Sequence, residues 1–301
     1  MQTFQANQNI RIGFIGFGKM GSGICSNIQK AGYPLTIFNR TQSKAQAFIE
    51  AGATWANSVH DVVKNADVIF TSLMDDQSVR ELCYGEQGVL SVISAQQIHV
   101  NLTTIQPALS DELKAVYTQK GAHYVSAPVI GRPDVAQSGQ LITFLAGDAE
   151  AITQILPIVS QYTQKQIQLG QVASSANVMK VCVNYLAMAQ LSLLGEVFAY
   201  AEKNHIDQQK IVAVTEHFYA GNPAMQAYAE KIASRDFDDV GFELKAGLKD
   251  ALLFDQAFTA SGLTAGAIQV AKQQLIAANA NGLGQKDWSA LTEMSRRSAG
   301  L

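Results

Sequence analysis

The 301-residue chain has little cysteine, few histidines and no excess of positive charge. Its three cysteines, Cys25, Cys83 and Cys182, lie far apart and are odd in number, which argues against disulfides and predicts buried thiols in a reducing, cytoplasmic compartment. The five histidines show no metal-ligand spacing, so we predict no metal site. A formal net charge of −3 without a basic stripe argues against a nucleic acid partner.

Long apolar runs are absent as well. No uninterrupted apolar run reaches the roughly 18 residues of a membrane span, so no membrane partner is expected. The first nine residues are polar and lack the apolar centre of a secretory signal, so we expect residues 1–9 to be a disordered lead-in. A hydrophobic fraction of 48% and a charged fraction of 16% permit a sizeable core, and the length fits two domains.

Short apolar runs alternate with helical patterns in the first half of the chain. This alternation predicts an α/β Rossmann-type domain over residues 10–172, with a parallel sheet covered by helices on both faces. Continuous apolar strands fit burial on both sides of the sheet. The predicted strands are Arg11–Ile15, Leu35–Phe38, Val68–Leu73, Ile98–Leu102, His123–Ala127 and Leu141–Ala146.

The pattern changes near residue 170. Residues 174–203 have the pattern of one long helix without a proline, and further helical patterns follow as far as residue 298. The predicted second domain, residues 173–301, is therefore all-α, and the long helix joins it to the first. Its helices carry apolar residues on nearly every face, which favours a homodimer and leaves a tetramer open.

A glycine motif follows the first predicted strand at once. Gly16 permits a tight turn, Gly18 removes a side chain where a pyrophosphate approaches the backbone, and Gly21 allows close packing of helix on strand. The second strand, Leu35–Phe38, lies within the same unit of roughly 30 residues, as dinucleotide binding requires. Lys19 and Met20 in the same turn are predicted cofactor contacts.

The end of the second strand indicates which dinucleotide binds. A site for NAD usually places Asp or Glu there to hold the ribose hydroxyls. This chain has Asn39, Arg40 and Thr41 instead, and an arginine fork suits a 2′-phosphate. We therefore predict NADPH/NADP+ as the cofactor.

Two further predicted strands end in residues of the cofactor crevice. Ligands of such sheets bind outside the carboxyl ends of the strands. Leu73 and Met74 lie at the end of one strand, and Thr104 lies just after the next. All three are predicted to contact the cofactor.

Nearly the whole chain resembles the β-hydroxyacid dehydrogenase family, which includes 3-hydroxyisobutyrate dehydrogenases and glyoxylate and succinic semialdehyde reductases. The segments that carry the resemblance are "GFIGFGKMGSGICSNIQKAGYPLTIFNRT", "NLTTIQP", "SAPVIGRPDVAQSGQLITFLAGD", "GQVASSANVMKVCVN" and "LKDALL". The resemblance implies a Rossmann-type domain, a long interdomain helix and a helical domain that usually builds a dimer.

The resemblance also assigns roles to residues of the predicted helical half. Lys180 falls on the position of the general acid/base, and Asn184, four residues on, shares its helix face and is expected to orient it. Reduction of a carbonyl needs such a proton donor, because the oxygen otherwise becomes an alkoxide. Lys249 is expected to approach the cofactor, and its neighbour Asp250 to hold a helix position.

The substrate segment departs from the family pattern. Carboxylate-binding members usually have Ser-Gly-Gly where this chain has Ile130, Gly131 and Arg132. Val129 to Arg132 are the predicted substrate-binding residues, and backbone N–H groups there are able to bind an anion. Ile130 favours a less polar substrate and leaves the hydroxyacid assignment open.

The sequence thus predicts an NADPH-dependent oxidoreductase that reduces a small aldehyde or 2-oxo acid, and oxidises the hydroxy compound in reverse. Two alternatives stay open. Imine reductases resemble this chain in fold and cofactor signature, although most have Asp or Tyr at the position of Lys180. An NADP-binding protein without catalysis is the second alternative.

Overall fold

The computed structural model describes residues 9–301, so all but Asn9 of the predicted lead-in lies outside the described residues. The chain divides into two compact units, one ending at Lys180 and the other running from Val181 to Leu301. The division falls inside a long helix, a few residues after the boundary predicted at residue 172.

Within the described residues, the first unit contains a sheet of nine strands in the order β3-β2-β1-β4-β5-β6-β8-β7, with β9 paired to β8. The strands from β3 to β6 are parallel to one another. Their carboxyl ends therefore meet at one edge of the sheet. The strands are β1 Ile12–Ile15, β2 Leu35–Phe38, β3 Thr54–Trp55, β4 Val68–Thr71, β5 Ile98–Asn101, β6 His123–Ser126, β7 Val129–Ile130, β8 Leu141–Gly147 and β9 Thr163–Gln168.

The far edge of the sheet differs from the expected parallel arrangement. Strand β8 runs antiparallel to both β6 and β7, while β9 is parallel to β8. Residues 127–140, which connect β6 to β8, are divided between the strand β7 and a helix of only five residues, so they hold no crossover helix of the kind that a parallel connection needs. Strands β3, β7 and β9 were not predicted, because two are dipeptides and β9 is the polar sequence TQKQIQ.

Helices of the first unit cover the sheet. Strands β1 and β4 are fully buried, as continuous apolar runs predict, and the rings of Phe14 and Phe70 stack in the core between them. The Rossmann-type α/β fold is thereby confirmed. The helices are α1 Lys19–Lys30, α2 Gln46–Glu50, α3 Val59–Lys64, α4 Asp76–Tyr84, α5 Val89–Val92, α6 Pro107–Gln119, α7 Pro133–Gln137 and α8 Ala149–Val159.

The second unit is helical, as predicted. The long helix is α9 Ser174–Lys203, and it is followed by α10 Gln208–Phe218, α11 Pro223–Ser234, α12 Leu244–Ala260, α13 Gly266–Ala278 and α14 Glu293–Ser298. The helical pattern that runs to residue 298 is interrupted, because residues 288–292 form a tighter 3-10 turn before α14. Met188, Leu191 and Phe254 are among the buried residues of its core.

Among the described residues, α9 alone is long and apolar enough to cross a membrane. Polar residues interrupt its apolar stretch, and the buried core helix of a soluble protein meets the same test. Length and composition of α9 therefore do not by themselves indicate a membrane span.

The cysteines differ from the expectation of three buried thiols. Cys25 and Cys83 are buried, but Cys182 is exposed. It lies on α9 on the same face as Met179 and Leu186, which are also exposed. All three cysteines are free thiols.

Candidate active site

The junction of β1 and α1 is built so that one residue in the turn and one in the first turn of the helix must be glycine. Gly16 has a φ of +103°, and a Cβ there would lie 2.2 Å from the carbonyl oxygen of Ser72. A Cβ on Gly21 would lie 2.2 Å from the carbonyl oxygen of Gly16. The chain can therefore pass this close to β4 and fold back into α1 only without side chains at these positions.

Gly18 has a different role, because nothing lies within 4 Å of the place where its Cβ would be. It is exposed and caps α1, a helix of 12 residues with no acidic residue in its first turn. The positive end of a helix, next to backbone that a ligand can approach closely, suits a pyrophosphate. The predicted contacts Lys19 and Met20 form the start of that first turn, so the turn fits a dinucleotide.

Asn39 joins the end of β2 to the glycine turn. Its Oδ1 accepts a hydrogen bond from the N–H of Phe17 at 3.0 Å, and its Nδ2 donates to the carbonyl oxygen of Thr41 at 2.8 Å. The amide is thus engaged with backbone on both sides. Arg40 and Thr41 are exposed beside the turn, which leaves a cation where a 2′-phosphate is expected.

Hydrogen bonds also join the ends of β4 and β5. The N–H of Leu73 donates to Oγ1 of Thr103 at 2.9 Å, and the N–H of Thr103 donates to Oδ1 of Asn101 at 3.0 Å. Thr103 and Asn101 were absent from the predicted site, because a buried polar side chain gives no signal in sequence. Beside them, Met74 is exposed and Thr104 is half-buried.

His99 lies fully buried on β5 below this crevice. Its Nε2 lies 2.8 Å from Oγ1 of Thr71, while its Nδ1 has no hydrogen-bond partner within the described residues. Burial lowers the pKa of His99 to about 3, from an ordinary value of 6.5. The imidazole is therefore neutral at physiological pH and is unsuited to proton transfer there.

Lys180 lies on α9 and is buried, with a relative exposure of 8%. Asn184 is one helical turn further on and half-buried, so the two predicted catalytic residues share a face, as their spacing indicates. Because a buried lysine has little contact with water, a ligand bound beside it is the group with which it can exchange a proton.

Asn184 belongs to a cluster with the start of α12. Its Nδ2 lies 3.4 Å from Oδ2 of Asp250, and Nζ of Lys249 lies 2.7 Å from Oδ1 of the same carboxylate. Asp250 is buried, with 5% exposure, whereas Lys249 is half-buried. Asp250 thus does more than hold a helix position, because it joins two predicted site residues through its two oxygens.

The predicted substrate segment forms β7 and the turn after it. Val129 and Ile130 are half-buried and pair with β8. Gly131 has a φ of +140°, and a Cβ there would lie 2.5 Å from a methyl group of Leu141. Nε of Arg132 lies 3.5 Å from Oδ1 of Asp134, so this arginine is already close to a carboxylate.

Residues 9–301 contain no group of three or more His, Cys, Asp or Glu side chains able to hold a metal ion. The residues that follow β1, β2 and β5 are instead glycines, an amide and hydroxyls. Such groups suit an organic ligand.

Comparisons with known proteins agree with this arrangement. Residues 11–179 match the family model of the NAD binding domain of 6-phosphogluconate dehydrogenase. Residues 174–295 match the model described as NAD-binding of NADP-dependent 3-hydroxyisobutyrate dehydrogenase. Together the two models cover both units of the chain.

Two curated relatives match over most of their length. The uncharacterized oxidoreductase YfjR of Bacillus subtilis is 33% identical over 94% of this chain and 98% of its own. The probable 3-hydroxyisobutyrate dehydrogenase-like 1, mitochondrial, of Arabidopsis thaliana is 31% identical over 94% of this chain and 84% of its own.

Solved structures give the same result. The 3-hydroxyisobutyrate dehydrogenase of Mycobacterium tuberculosis, solved with L-serine, has a TM-score of 0.86 at 26% identity, over 95% of this chain and 99% of its own. An imine reductase variant from Myxococcus stipitatus shares the fold, with a TM-score of 0.65 at 18% identity over 95% and 99% of the two chains. The chain therefore belongs to the 3-hydroxyisobutyrate dehydrogenase family of NAD(P)-dependent oxidoreductases.

Proposed function

We propose that this chain is an NADPH-dependent reductase of small aldehydes or 2-oxo acids, which oxidises the corresponding hydroxy compounds in reverse. The observation that carries the proposal is the placement of Lys180. It is buried on α9, one turn before an asparagine whose amide is held by a buried carboxylate. That arrangement suits the transfer of a proton from the Lys180 ammonium group to the carbonyl oxygen of a substrate.

Lys180 and its neighbours account for the proton. A bound nicotinamide supplies the hydride in this family of reactions. Nζ of Lys180 donates the proton to the carbonyl oxygen of the substrate, and in the reverse direction it accepts the proton of the hydroxyl. Asn184 orients the oxygen or the ammonium group, and Asp250 holds the Asn184 amide in place.

The preference for NADPH rests on the end of β2. The side-chain amide of Asn39 forms hydrogen bonds with the backbone of Phe17 and Thr41, and these fix the loop beside the glycine turn. Arg40 then presents a guanidinium suited to a phosphate, and no carboxylate stands at this strand end to repel it.

Ile130 favours a second candidate function, imine reduction. Its apolar side chain stands where carboxylate-binding relatives usually have serine, and it lies half-buried on β7. An imine also needs a hydride and a proton donor, so the same lysine can serve it. We propose carbonyl reduction first because Lys180 is retained.

The second copy of the chain is the partner that we propose for the exposed face of α9. Leu186, Leu193, Val197 and Tyr200 are exposed at spacings of seven, four and three residues, which places them on one side of the helix. Leu193, Val197 and Tyr200 line a groove of about 460 Å³. Apolar patches of this kind are typical of subunit contacts. We also propose a cytoplasmic protein with no membrane or nucleic acid partner.

The first experiment is NADPH oxidation at neutral pH against glyoxylate, succinic semialdehyde, simple aldehydes and a cyclic imine such as a pyrroline. Turnover of an aldehyde or oxo acid supports the proposal. Turnover of the imine alone replaces it with the second candidate. Binding of NADPH without turnover of any compound on the panel overturns both and favours the non-catalytic alternative.

A further inference from the structure

The amide of Asn177 occupies the centre of a buried hydrogen-bond network in the first unit. Asn177 lies in the first turn of α9 and has no exposed surface. Its Oδ1 accepts from the N–H of Ile105 at 3.1 Å. Its Nδ2 donates to Oγ of Ser110 and to Oγ of Ser126, both at 2.7 Å. The amide therefore accepts one hydrogen bond and donates two, so both of its polar atoms have partners.

The three partners belong to three different elements around the crevice. Ile105 follows β5 and is the neighbour of Thr104, a predicted cofactor contact. Ser110 lies in α6. Ser126 ends β6, three residues before the substrate segment begins at Val129. One side chain thus fixes the start of α9 to the loop after β5 that carries Thr104, here called the cofactor loop, and to the end of β6, just before the substrate segment.

Lys180 is three residues after Asn177, less than one turn along the same helix. Because a helix is rigid over one turn, a shift of Asn177 moves the backbone of Lys180 with it. We propose that Asn177 is a positioning residue, which sets the location of the Lys180 ammonium group relative to the cofactor loop and the substrate segment. This inference rests on the proposed role of Lys180 as proton donor.

Few other side chains are able to make this set of contacts. The network needs an acceptor for one backbone N–H and polar atoms toward two serine hydroxyls. Alanine removes all three contacts. Aspartate keeps the acceptor for Ile105, and its carboxylate accepts from both hydroxyls when these turn to donate. Asn177→Asp should therefore preserve the position of α9 while adding a negative charge near Lys180.

The first readout is the reactivity of Lys180 itself in the cofactor-free protein. Competitive labelling with acetic anhydride, read by mass spectrometry, measures how accessible each lysine is. In Asn177→Ala we expect labelling of Lys180 to rise about five-fold or more, because the start of α9 is no longer held. The exposed Lys64 serves as the internal reference and should not change.

The second readout is steady-state kinetics at saturating NADPH. In Asn177→Ala we expect kcat to fall about 20-fold or more with KM changed less than about three-fold, since misplacing a catalytic group costs rate more than binding. In Asn177→Asp we expect kcat within about five-fold of the parent, with the pH limb that reports Lys180 moved to higher pH. A mere loss of stability would not raise the labelling of Lys180 relative to that of Lys64.

Gln97→Ala is the matched control. The Gln97 amide also donates two hydrogen bonds, to the carbonyl oxygens of Val63 and Ala66, and accepts one from the N–H of Ser94. It stands at the amino end of β5, away from the crevice. This variant should lose stability but keep the labelling of Lys180 and the parent kcat.

Lys180→Met separates the two proposals. If Lys180→Met keeps kcat near the parent value, the proposed role of Lys180 is wrong. If Lys180→Met is inactive but Asn177→Ala leaves both the labelling of Lys180 and kcat unchanged, the positioning role of Asn177 alone is overturned. Equal losses in Asn177→Ala and Gln97→Ala overturn it as well, because the effect is then one of stability.

Discussion

Asp250 holds Asn184 and Lys249 through its two carboxylate oxygens, at 3.4 Å and 2.7 Å. The carboxylate is buried, so its contacts work where water does not compete. Asn184 in turn lies one turn from Lys180 on α9. The carboxylate of α12 therefore holds an amide that lies one helical turn from the predicted proton donor.

Asp250→Asn tests this connection. The substitution keeps size and shape but removes the charge that pairs with Lys249. We expect kcat/KM to fall about 10- to 100-fold, as loss of charge-assisted hydrogen bonds costs about 1.5–3 kcal/mol. Asp255→Asn is the control, because Asp255 lies on the same helix and pairs with Lys272 at 2.6 Å. Equal losses in both variants would contradict a specific role of Asp250.

Alanine variants of Gly18 and Gly16 should distinguish an effect on cofactor binding from an effect on folding. A methyl group at Gly18 meets no atom within 4 Å, so Gly18→Ala should keep the melting temperature and weaken NADPH binding about ten-fold or more. At Gly16 a Cβ meets the Ser72 carbonyl, and its φ is strained for alanine. Gly16→Ala should therefore lower the free energy of unfolding by about 3 kcal/mol.

Both glycine variants are measured by thermal melting without cofactor and by NADPH fluorescence titration. Unchanged NADPH affinity in Gly18→Ala would show that the cofactor does not approach this backbone. Unchanged stability of Gly16→Ala would mean that the turn can relax away from β4.

Arg40 is expected to decide the choice between the two nicotinamide cofactors. Arg40→Ala should raise KM for NADPH about 10- to 100-fold and leave KM for NADH within about two-fold, because only NADPH carries the 2′-phosphate. The measurement is the ratio of kcat/KM for the two cofactors. Arg11→Ala is the control, since Arg11 is an exposed arginine at the amino end of β1, paired with Asp67. If kcat/KM of Arg40→Ala fell equally for NADPH and NADH, Arg40 would not be the group that recognises the 2′-phosphate.

His99 makes the first unit sensitive to acid. Its folded pKa of about 3 lies below the ordinary 6.5, because burial disfavours the charged ring. Below pH 6.5 the His99 imidazole therefore takes up a proton in the unfolded chain, whereas in the folded chain it stays neutral down to about pH 3. The free energy of unfolding falls through this window, by up to about 5 kcal/mol at its lower end.

His99→Gln should flatten this part of the stability profile, because the amide does not titrate. The measurement is urea unfolding at pH values from 7 to 4. The exposed His217 gives the control, and His217→Gln should leave the slope unchanged. A parallel loss of stability toward acid in the parent and in His99→Gln would assign the sensitivity to other groups.

Much of the fold could be predicted from local patterns. The strands β1, β2 and β4 are apolar runs, and each lies within about two residues of its predicted bounds. Strand β9 was missed because its sequence, TQKQIQ, is almost entirely polar, and only its pairing with β8 makes it a strand. The antiparallel edge was missed because chain direction depends on the length of a connection, and α7 is too short for a crossover.

The candidate site divides in the same way. Gly16 and Gly21 could be predicted from spacing alone, because the junction of strand and helix leaves no room for a side chain at either position. Asn101 and Thr103 were missed, since any buried amide or hydroxyl looks alike in sequence until its partner is known. Cys182 was expected to be buried and is exposed, because hydropathy does not show which helix face meets a core.

By itself, the sequence determined the features that depend on neighbours along the chain: the glycine turn, the cation at the end of β2, the long helix and the shared face of Lys180 and Asn184. Only the tertiary structure decided the features that join residues far apart in sequence. It placed Asn177 against Ser126, Asp250 against Asn184, and His99 out of reach of water. The reason is physical, because backbone angles and helix periodicity act over a few residues, whereas burial and hydrogen-bond partners are set only when the strands and helices pack.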